Sequence, residues 1–286
     1  YTGSDDGRVH FSADGGTNWE DVSQAFPSDL WVTRVVASEH EKSRVYVSLT
    51  GYRNDDFKPY VFQSDDNGKT WVSITGNLPE VAAVNVIKED PKDENILYLG
   101  TDNYLYISMD RGENWQVIDG GLPVVAIYDL VVQEREDDLV VATHGRSIYK
   151  ADLGSLRSYF KVKNEDLAIL PIKSVRYSSR WGDSRSRWYG SFEPEMNFEV
   201  FSAKEALLKI EILSEDDKLL QRFSAEIEKG YNYLSYDLTA SESWIKSYVK
   251  KHKSVSFDKA DNGLYYLPKG SYKMKIDKVV EIFVIE

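Results

Sequence analysis

The chain has 286 residues, with 42% hydrophobic and 13% aromatic side chains, enough apolar surface for one large or two ordinary packed domains. Its net charge of −12 disfavours nucleic-acid binding, which requires many phosphates to be neutralised. The absence of cysteine excludes disulfide scaffolds, thiolate metal sites and thiol nucleophiles.

The charge is unevenly spread. Residues 1–155 carry 13 basic and 27 acidic side chains, whereas residues 156–286 carry 22 and 20, which predicts two domains. No apolar run approaches the roughly 20 residues needed to cross a bilayer, so no membrane insertion is expected. His40-Glu41 lacks the second histidine of a zincin helix and no EF-hand spacing occurs, so no metal and no cofactor are expected. Tyr1 stands within a strand-like segment, and the chain reads as a portion of something longer.

In chain order, the alternating run Val9-His10-Phe11 leads into Ser12-Ala-Asp14-Gly-Gly16-Thr-Asn-Trp19. The pattern Ser-x-Asp-x-Gly-x-x-Trp returns at Ser64, Asp66, Gly68 and Trp71, and again at Ser108, Asp110, Gly112 and Trp115. Its aspartates lie 52 and 44 residues apart. A fourth, eroded station places Lys150, Asp152, Gly154 and Arg157 at the Ser, Asp, Gly and Trp positions. Each motif lies between two β-like runs, as in Tyr60–Phe62 before Trp71–Ile74 and Tyr104–Ile107 before Trp115–Ile118, and so reads as a hairpin turn. There the Asp accepts backbone N–H groups, the Gly adopts a left-handed conformation and the Trp folds over the hairpin.

The rest of each period also recurs: Asn77-Leu-Pro79 and Gly121-Leu-Pro123, a strand at Ala83–Ile87 or Ile127–Val132, an acidic turn, then Ile96–Thr101 or Leu139–Thr143. Four strands in each period make a β-propeller blade, and the repeat count gives about three and a half blades over residues 1–157. The first copy enters late, with Tyr1–His10 matching the stretch from Leu99 to Tyr106. An incomplete ring needs upstream blades or a partner chain to cover its open edges.

At these motifs the sequence resembles the BNR or Asp-box repeat proteins, and most closely the large bacterial proteins described as sortilin-like or glycosyl-hydrolase-like. In that group a Thr-His-Gly-Arg segment ends the propeller, here Thr143-His144-Gly145-Arg146. The resemblance implies an extracytoplasmic location. It also makes His144 and Arg146 candidate binding residues, although the more economical reading of His144 is a hydrogen-bonded turn residue.

Residues 158–190 read as a connector. Its stretch Arg176-Tyr-Ser-Ser-Arg180-Trp181-Gly-Asp-Ser-Arg185-Ser-Arg187-Trp188-Tyr189 is dense in guanidinium groups and rings. Arg180, Trp181, Arg187 and Trp188 are candidates for a sugar or anion platform. The competing reading is a strap that holds the two domains together.

Residues 191–286 return to strands, at Met196–Phe201, Ala206–Leu213, Lys218–Phe223, Gly230–Leu238, Gly270–Ile276 and Glu281–Glu286. One helix is predicted over 241–251. Short alternating strands fit an immunoglobulin-like β-sandwich. The succession of an Asp-Asp turn, Lys218–Phe223 and Gly270-Ser-Tyr272 is similar to the FlgD-like immunoglobulin module, which implies a spacer or docking role. The fold class expected is therefore all-β: a partial propeller followed by a sandwich with one short helix.

The chemistry of the chain is sparse. No sialidase Arg-Ile-Pro motif and no GxSxG elbow occur, and acidic pairs such as Asp5/Asp6, Asp55/Asp56 and Asp137/Asp138 read as solvated turns, so no catalytic residue is assigned. Two functions follow. One is a non-catalytic recognition or scaffold unit for a protein or glycan; the other is the C-terminal part of a glycoside hydrolase whose acids lie partly in missing blades.

Overall fold

Each sequence repeat folds into one small antiparallel sheet. The computed structural model describes residues 1–118, 121–184, 190–251 and 259–286, which fall into two units, Tyr1–Gly154 and Ser155–Glu286.

The first unit opens with a three-stranded sheet of β1 (Thr2–Gly3), β2 (Val9–Phe11) and β3 (Glu20–Asp21). Two complete blades follow. One is formed by β4 (Trp31–Ala37), β5 (Val45–Gly51), β6 (Asp56–Ser64) and β7 (Val72–Ser73), the other by β8 (Val84–Glu89), β9 (Leu97–Thr101), β10 (Leu105–Ser108) and β11 (Trp115–Val117). A three-stranded sheet of β12 (Ile127–Gln133), β13 (Asp138–Thr143) and β14 (Ile148–Asp152) closes the unit. Fourteen strands among the described residues amount to the expected three and a half blades.

The middle strands explain how blades stack. β9 is buried along its whole length and β5 nearly so, because both faces are covered. Such strands read as continuous apolar runs rather than alternations. Tyr46, Val61 and Ile74 meet Val84, Ile87, Leu97, Leu99, Tyr106 and Trp115 in one core between the two complete blades. A second core joins Val9 and Val22 of the first sheet to Val45, Val47 and Leu49.

Polar groups are buried in the same joint. The Glu89 carboxylate is 1% exposed. It accepts hydrogen bonds from the Ser38 hydroxyl at 2.9 Å, the Glu39 N–H at 2.8 Å and the Tyr46 hydroxyl at 2.9 Å. Beside it, Asp90 accepts from Tyr98 at 2.6 Å and from the N–H groups of Lys92 and Asp93. Burial, with Glu89 adjacent, pushes the Tyr46 phenol above its ordinary pKa.

The second unit begins in α1 (Leu153–Val162), a helix where the eroded fourth turn motif was expected. Leu153, Arg157 and Phe160 are buried at i, i+4 and i+7, a helical period that wins once Lys150 and Arg157 stand in the Ser and Trp stations. The strands are β15 (Leu167–Ile169), β16 (Met196–Ser202), β17 (Ala206–Ser214), β18 (Leu219–Ile227), β19 (Gly230–Tyr236) and β20 (Thr239–Ala240), then, beyond α2 (Glu242–Lys251), β21 (Tyr265–Tyr266), β22 (Gly270–Ile276) and β23 (Val279–Ile285). They pair as β15-β16-β19, β18-β17-β22-β23 and the short β20-β21.

The two larger sheets share one core, in which Val200 of the first meets Ile210, Ile212, Met274 and Ile276 of the second, all at 0% exposure. Each such side chain contributes about 1.5–3 kcal/mol. The unit is thus a two-sheet sandwich, and the described residues hold two α-helices, α1 and α2, rather than the one expected. Described residues of the predicted connector belong to this sandwich: Val175 bridges Ile285 in parallel, and Trp181 is 6% exposed in the shared core, with its ring against Tyr177 and Tyr266. A buried indole cannot serve as a ligand platform, which removes Trp181 from the candidate binding residues.

Candidate functional site

The motif turns end the third strand of each blade. Ser64 Oγ donates to Asp66 Oδ1 at 2.8 Å and accepts the Gly68 N–H at 2.8 Å, while Asp66 takes the Thr70 N–H at 2.8 Å. Ser108, Asp110, Gly112 and Asn114 repeat this geometry at the same distances, and Ser12, Asp14, Gly16 and Asn18 match it within 0.1 Å. These bonds hold the carboxylates ionised. The Asn18 N–H and amide together with Ser12 bring Asp14 down to about 2, and the Thr70 N–H and hydroxyl with Ser64 do the same for Asp66. At Asp110 burial opposes, but bonds from Asn114 and Ser108 prevail and the pKa is lowered.

Folded values below the unfolded 3.8 mean that this stabilisation is complete above about pH 4 and is lost as the pH falls toward about 2. Urea midpoints measured from about pH 5 to about pH 2.5 are expected to fall, and the Asp110→Asn variant is expected to fall less steeply. Identical slopes for variant and parent would contradict this assignment.

The opposite ends of the blades build something different. In all three innermost strands the register slips at the same place, between Val32 and Arg34, between Val84 and Val86, and between Ile127 and Asp129. The bulged residues are Thr33, Asn85 and Tyr128. Bulges re-aim side chains, and each of these three meets a residue in or near the end of its own blade's second strand. Thr33 shares a 2.7 Å hydrogen bond with Ser48, Asn85 donates to Asp102 at 2.8 Å, and the Tyr128 ring stands edge-on to His144 at 5.2 Å.

The turns that follow those second strands are held by their threonines. Thr101 Oγ1 donates to the Tyr104 carbonyl and Thr143 Oγ1 to the Ser147 carbonyl. Asp102 and His144 stand one residue later, and their N–H groups bond the carbonyls of Ala83 and Ala126, just before the bulge of their own blade.

Thr33, Asn85, Tyr128, Asp102 and His144 line one cleft of about 790 Å³ together with Trp31, Arg34, Tyr52 and Arg53. Arg53 lies 4.1 Å over the Trp31 ring, and Arg34 reaches from β4 to Asp129 on β12 at 2.6 Å. The Arg34 Nε is buried without a partner, a donor left open beside the cleft. Rings, hydroxyls, an amide and guanidinium groups converge here at a volume suited to a small ligand.

Of the residues singled out from sequence, His144 lines this cleft and Arg146 is exposed in the same turn. Arg180 is exposed, with its guanidinium 5.9 Å from the Phe192 ring. Arg187 and Trp188 lie outside the described residues. The twelve Ser, Asp, Gly and Trp positions sit at the other end of the blades: on the nine-residue β6, Asp56 and Ser64 mark the two ends, roughly 26 Å apart. Thr33, Asn85 and Tyr128 were not anticipated. Their signal is the broken alternation in Val84-Asn85-Val86-Ile87 and its counterparts.

The family model for Sortilin-Vps10 (sortilin, neurotensin receptor 3) matches residues 7–163, more than half of the sequence. The chain belongs to this family. Among solved structures it is similar to a GH74 xyloglucanase from Xanthomonas campestris, at 10% identity and a TM-score of 0.41, covering 97% of this chain and 43% of that one. A GH74 enzyme from Niastella koreensis matches at 13% identity and a TM-score of 0.42, with 94% and 44% covered. PorZ, an essential bacterial surface component of the type-IX secretion system of Porphyromonas gingivalis, matches at 12% and 0.35, with 90% and 30% covered. The chain spans less than half the length of each. No curated protein matches it.

Proposed function

We propose that this member of the sortilin family is the recognition portion of a larger, exported bacterial propeller protein, and that it binds a glycan or protein partner in the cleft without turning it over. The observation that carries this reading is the composition of the cleft: Trp31, Tyr52 and Tyr128 offer ring faces, Arg53 and His144 offer donors, and the carboxylate in the lining, Asp102, is engaged by Asn85. Rings and hydrogen-bonding side chains in one cleft suit a sugar.

An acid catalyst for glycoside cleavage requires a carboxyl held above its usual pKa. Burial raises the Glu281 carboxyl, and it lies on β23 of the sandwich rather than in the cleft lining. The sandwich is read as an immunoglobulin-like, FlgD-like spacer or docking module. Extracytoplasmic placement accords with a chain in which no described helix is long and apolar enough to cross a membrane.

A glycoside hydrolase completed by further blades is the second reading, favoured by the presence of Asp102 in the lining. Tryptophan fluorescence titration with neutral and acidic oligosaccharides and with peptides tests the first. Binding is expected to saturate and to weaken by about tenfold or more in Tyr128→Ala and Trp31→Ala. Equal affinity in both variants would remove the cleft from the reading.

A further inference from the structure

The first unit is acidic, and most of its arginines are engaged by that acidity. It holds seven. Five pair with carboxylates: Arg8 with Asp21 at 3.1 Å, Arg34 with Asp129 at 2.6 Å, Arg44 with Asp65 and Glu94 at 2.7 and 2.8 Å, Arg111 with Glu94 at 3.6 Å, and Arg135 with Glu136 at 2.8 Å. The other two, Arg53 and Arg146, have no carboxylate and no hydrogen-bond acceptor among the described residues. Both stand at the cleft end of their blades, Arg53 in the lining and Arg146 two residues after His144.

Arg53 is positioned without being neutralised. It occupies the 3-10 turn Tyr52–Asn54 that follows β5, closed by Asp55 in the left-handed conformation at φ 55°. The Asn54 side-chain amide donates to the Asp29 carbonyl at 2.6 Å and the Tyr52 N–H to Thr50 Oγ1 at 3.3 Å, which fixes the turn on both sides of Arg53. The guanidinium carbon then lies 4.1 Å over the Trp31 ring of β4. The indole takes one side of the guanidinium and leaves its N–H groups open. The blade that carries the turn packs against a neighbour on each side, so these open donors do not arise from a bare sheet edge.

Beside it, Arg34 ties one nitrogen to Asp129 and keeps a buried Nε without a partner. The lining carboxylate, Asp102, belongs to the next blade and accepts from Asn85 at 2.8 Å. The cleft is therefore polarised, with cationic donors on one blade and an amide with acceptor oxygens on the next.

We propose that the cleft takes an acidic glycan, with a uronate carboxylate of the sugar at the Arg53 guanidinium and its hydroxyls toward Asn85 and Asp102. This rests on the reading of the cleft as a recognition site and names its ligand class. A guanidinium presents parallel N–H groups that match a planar carboxylate with two charge-assisted bonds. A hexuronate sets that carboxylate beside hydroxyls and an apolar ring face, which the aromatic side chains of the cleft accommodate. The acidity of the whole chain does not forbid this. Its long-range repulsion is screened beyond about 10 Å at 0.1 M salt, whereas the paired bonds act at contact.

Tetragalacturonate and its methyl ester present the same rings, and only the first carries charge. In calorimetric titrations of the 286-residue chain the uronate is expected to bind about tenfold or more tightly than the ester. Arg53 is exposed, so Arg53→Gln is expected to keep the parent Tm while bringing the uronate down to the affinity of the ester and leaving the ester unchanged. Arg53→Lys keeps the charge without the fork and is expected to fall between. Arg135→Gln makes the same charge change beyond the far end of β12 and is expected to alter neither sugar. Equal affinities for uronate and ester, both weakened by Tyr128→Ala, would overturn the acidic-glycan assignment and leave recognition in the cleft standing. A uronate preference that survives Arg53→Gln also overturns it. Binding of neither sugar removes the glycan from both readings, and a peptide carboxylate bound through Arg53 in their place would make the ligand a protein.

Discussion

Replacing Glu89 with Ala is expected to lower the unfolding free energy by about 3–5 kcal/mol, measured by urea denaturation near neutral pH. Three donors, the buried Tyr46 hydroxyl with the Ser38 hydroxyl and the Glu39 N–H in part-buried bonds, would lose their acceptor together. Each donor left unsatisfied away from water costs about 1–3 kcal/mol. The effect also propagates, because Ser38 and Glu39 belong to one blade and Glu89 to the next, so the same oxygens tie two sheets into register. Glu89→Gln keeps the shape and one acceptor and is expected to cost less. A Glu89→Ala variant within about 0.5 kcal/mol of the parent would show that solvent reaches the joint.

Trp115→Ala is expected to cost a similar amount, about 3–5 kcal/mol. Its ring fills the core between the complete blades, and its indole N–H holds the Ile74 carbonyl. The backbone of Trp115 is gripped as well: its N–H donates to Asn77 Oδ1 at 2.5 Å and its carbonyl accepts from Asn77 Nδ2 at 3.1 Å. Gly76, at φ 48°, lets this segment approach, since a Cβ there would lie 2.3 Å from the Glu113 carbonyl oxygen. Trp19 is 46% exposed, so thermal melts of Trp115→Ala and Trp19→Ala should differ sharply although both change the same motif residue. A matched pair of small losses would mean that the motif tryptophans do not join blades.

What could be read from the sequence is what repeats. The Ser-x-Asp-x-Gly-x-x-Trp turns announce the blades because every copy solves the same local problem, and the alternating runs around them locate the strands. The recurrent Asn77-Leu78-Pro79 is visible as a pattern, but its clamp on Trp115 appears only when two blades are stacked. The cleft is hidden for the opposite reason. Its residues occupy equivalent positions but differ from blade to blade, Thr33, Asn85 and Tyr128 at the bulges and Asp102 and His144 in the turns, so a search for repetition passes over them.

Composition misled at Trp181. Arginines and rings close together suggest a platform, yet the indole is drawn into the sandwich core, where Gly182 leaves room for Ala260 and Tyr266 against the chain. The helix α1 was masked by the repeat itself, since Asp152 and Gly154 keep two of the four motif stations while Leu153, Arg157 and Phe160 follow a helical period.

The proposed recognition in the cleft without turnover is tested by incubating the 286-residue chain with each oligosaccharide that binds it and assaying for newly released reducing ends. Binding is expected to saturate and to be weakened in Tyr128→Ala, with no release above the protein-free control. Release that disappears in Asp102→Asn or Asp129→Asn would contradict it and make the cleft a site of hydrolysis.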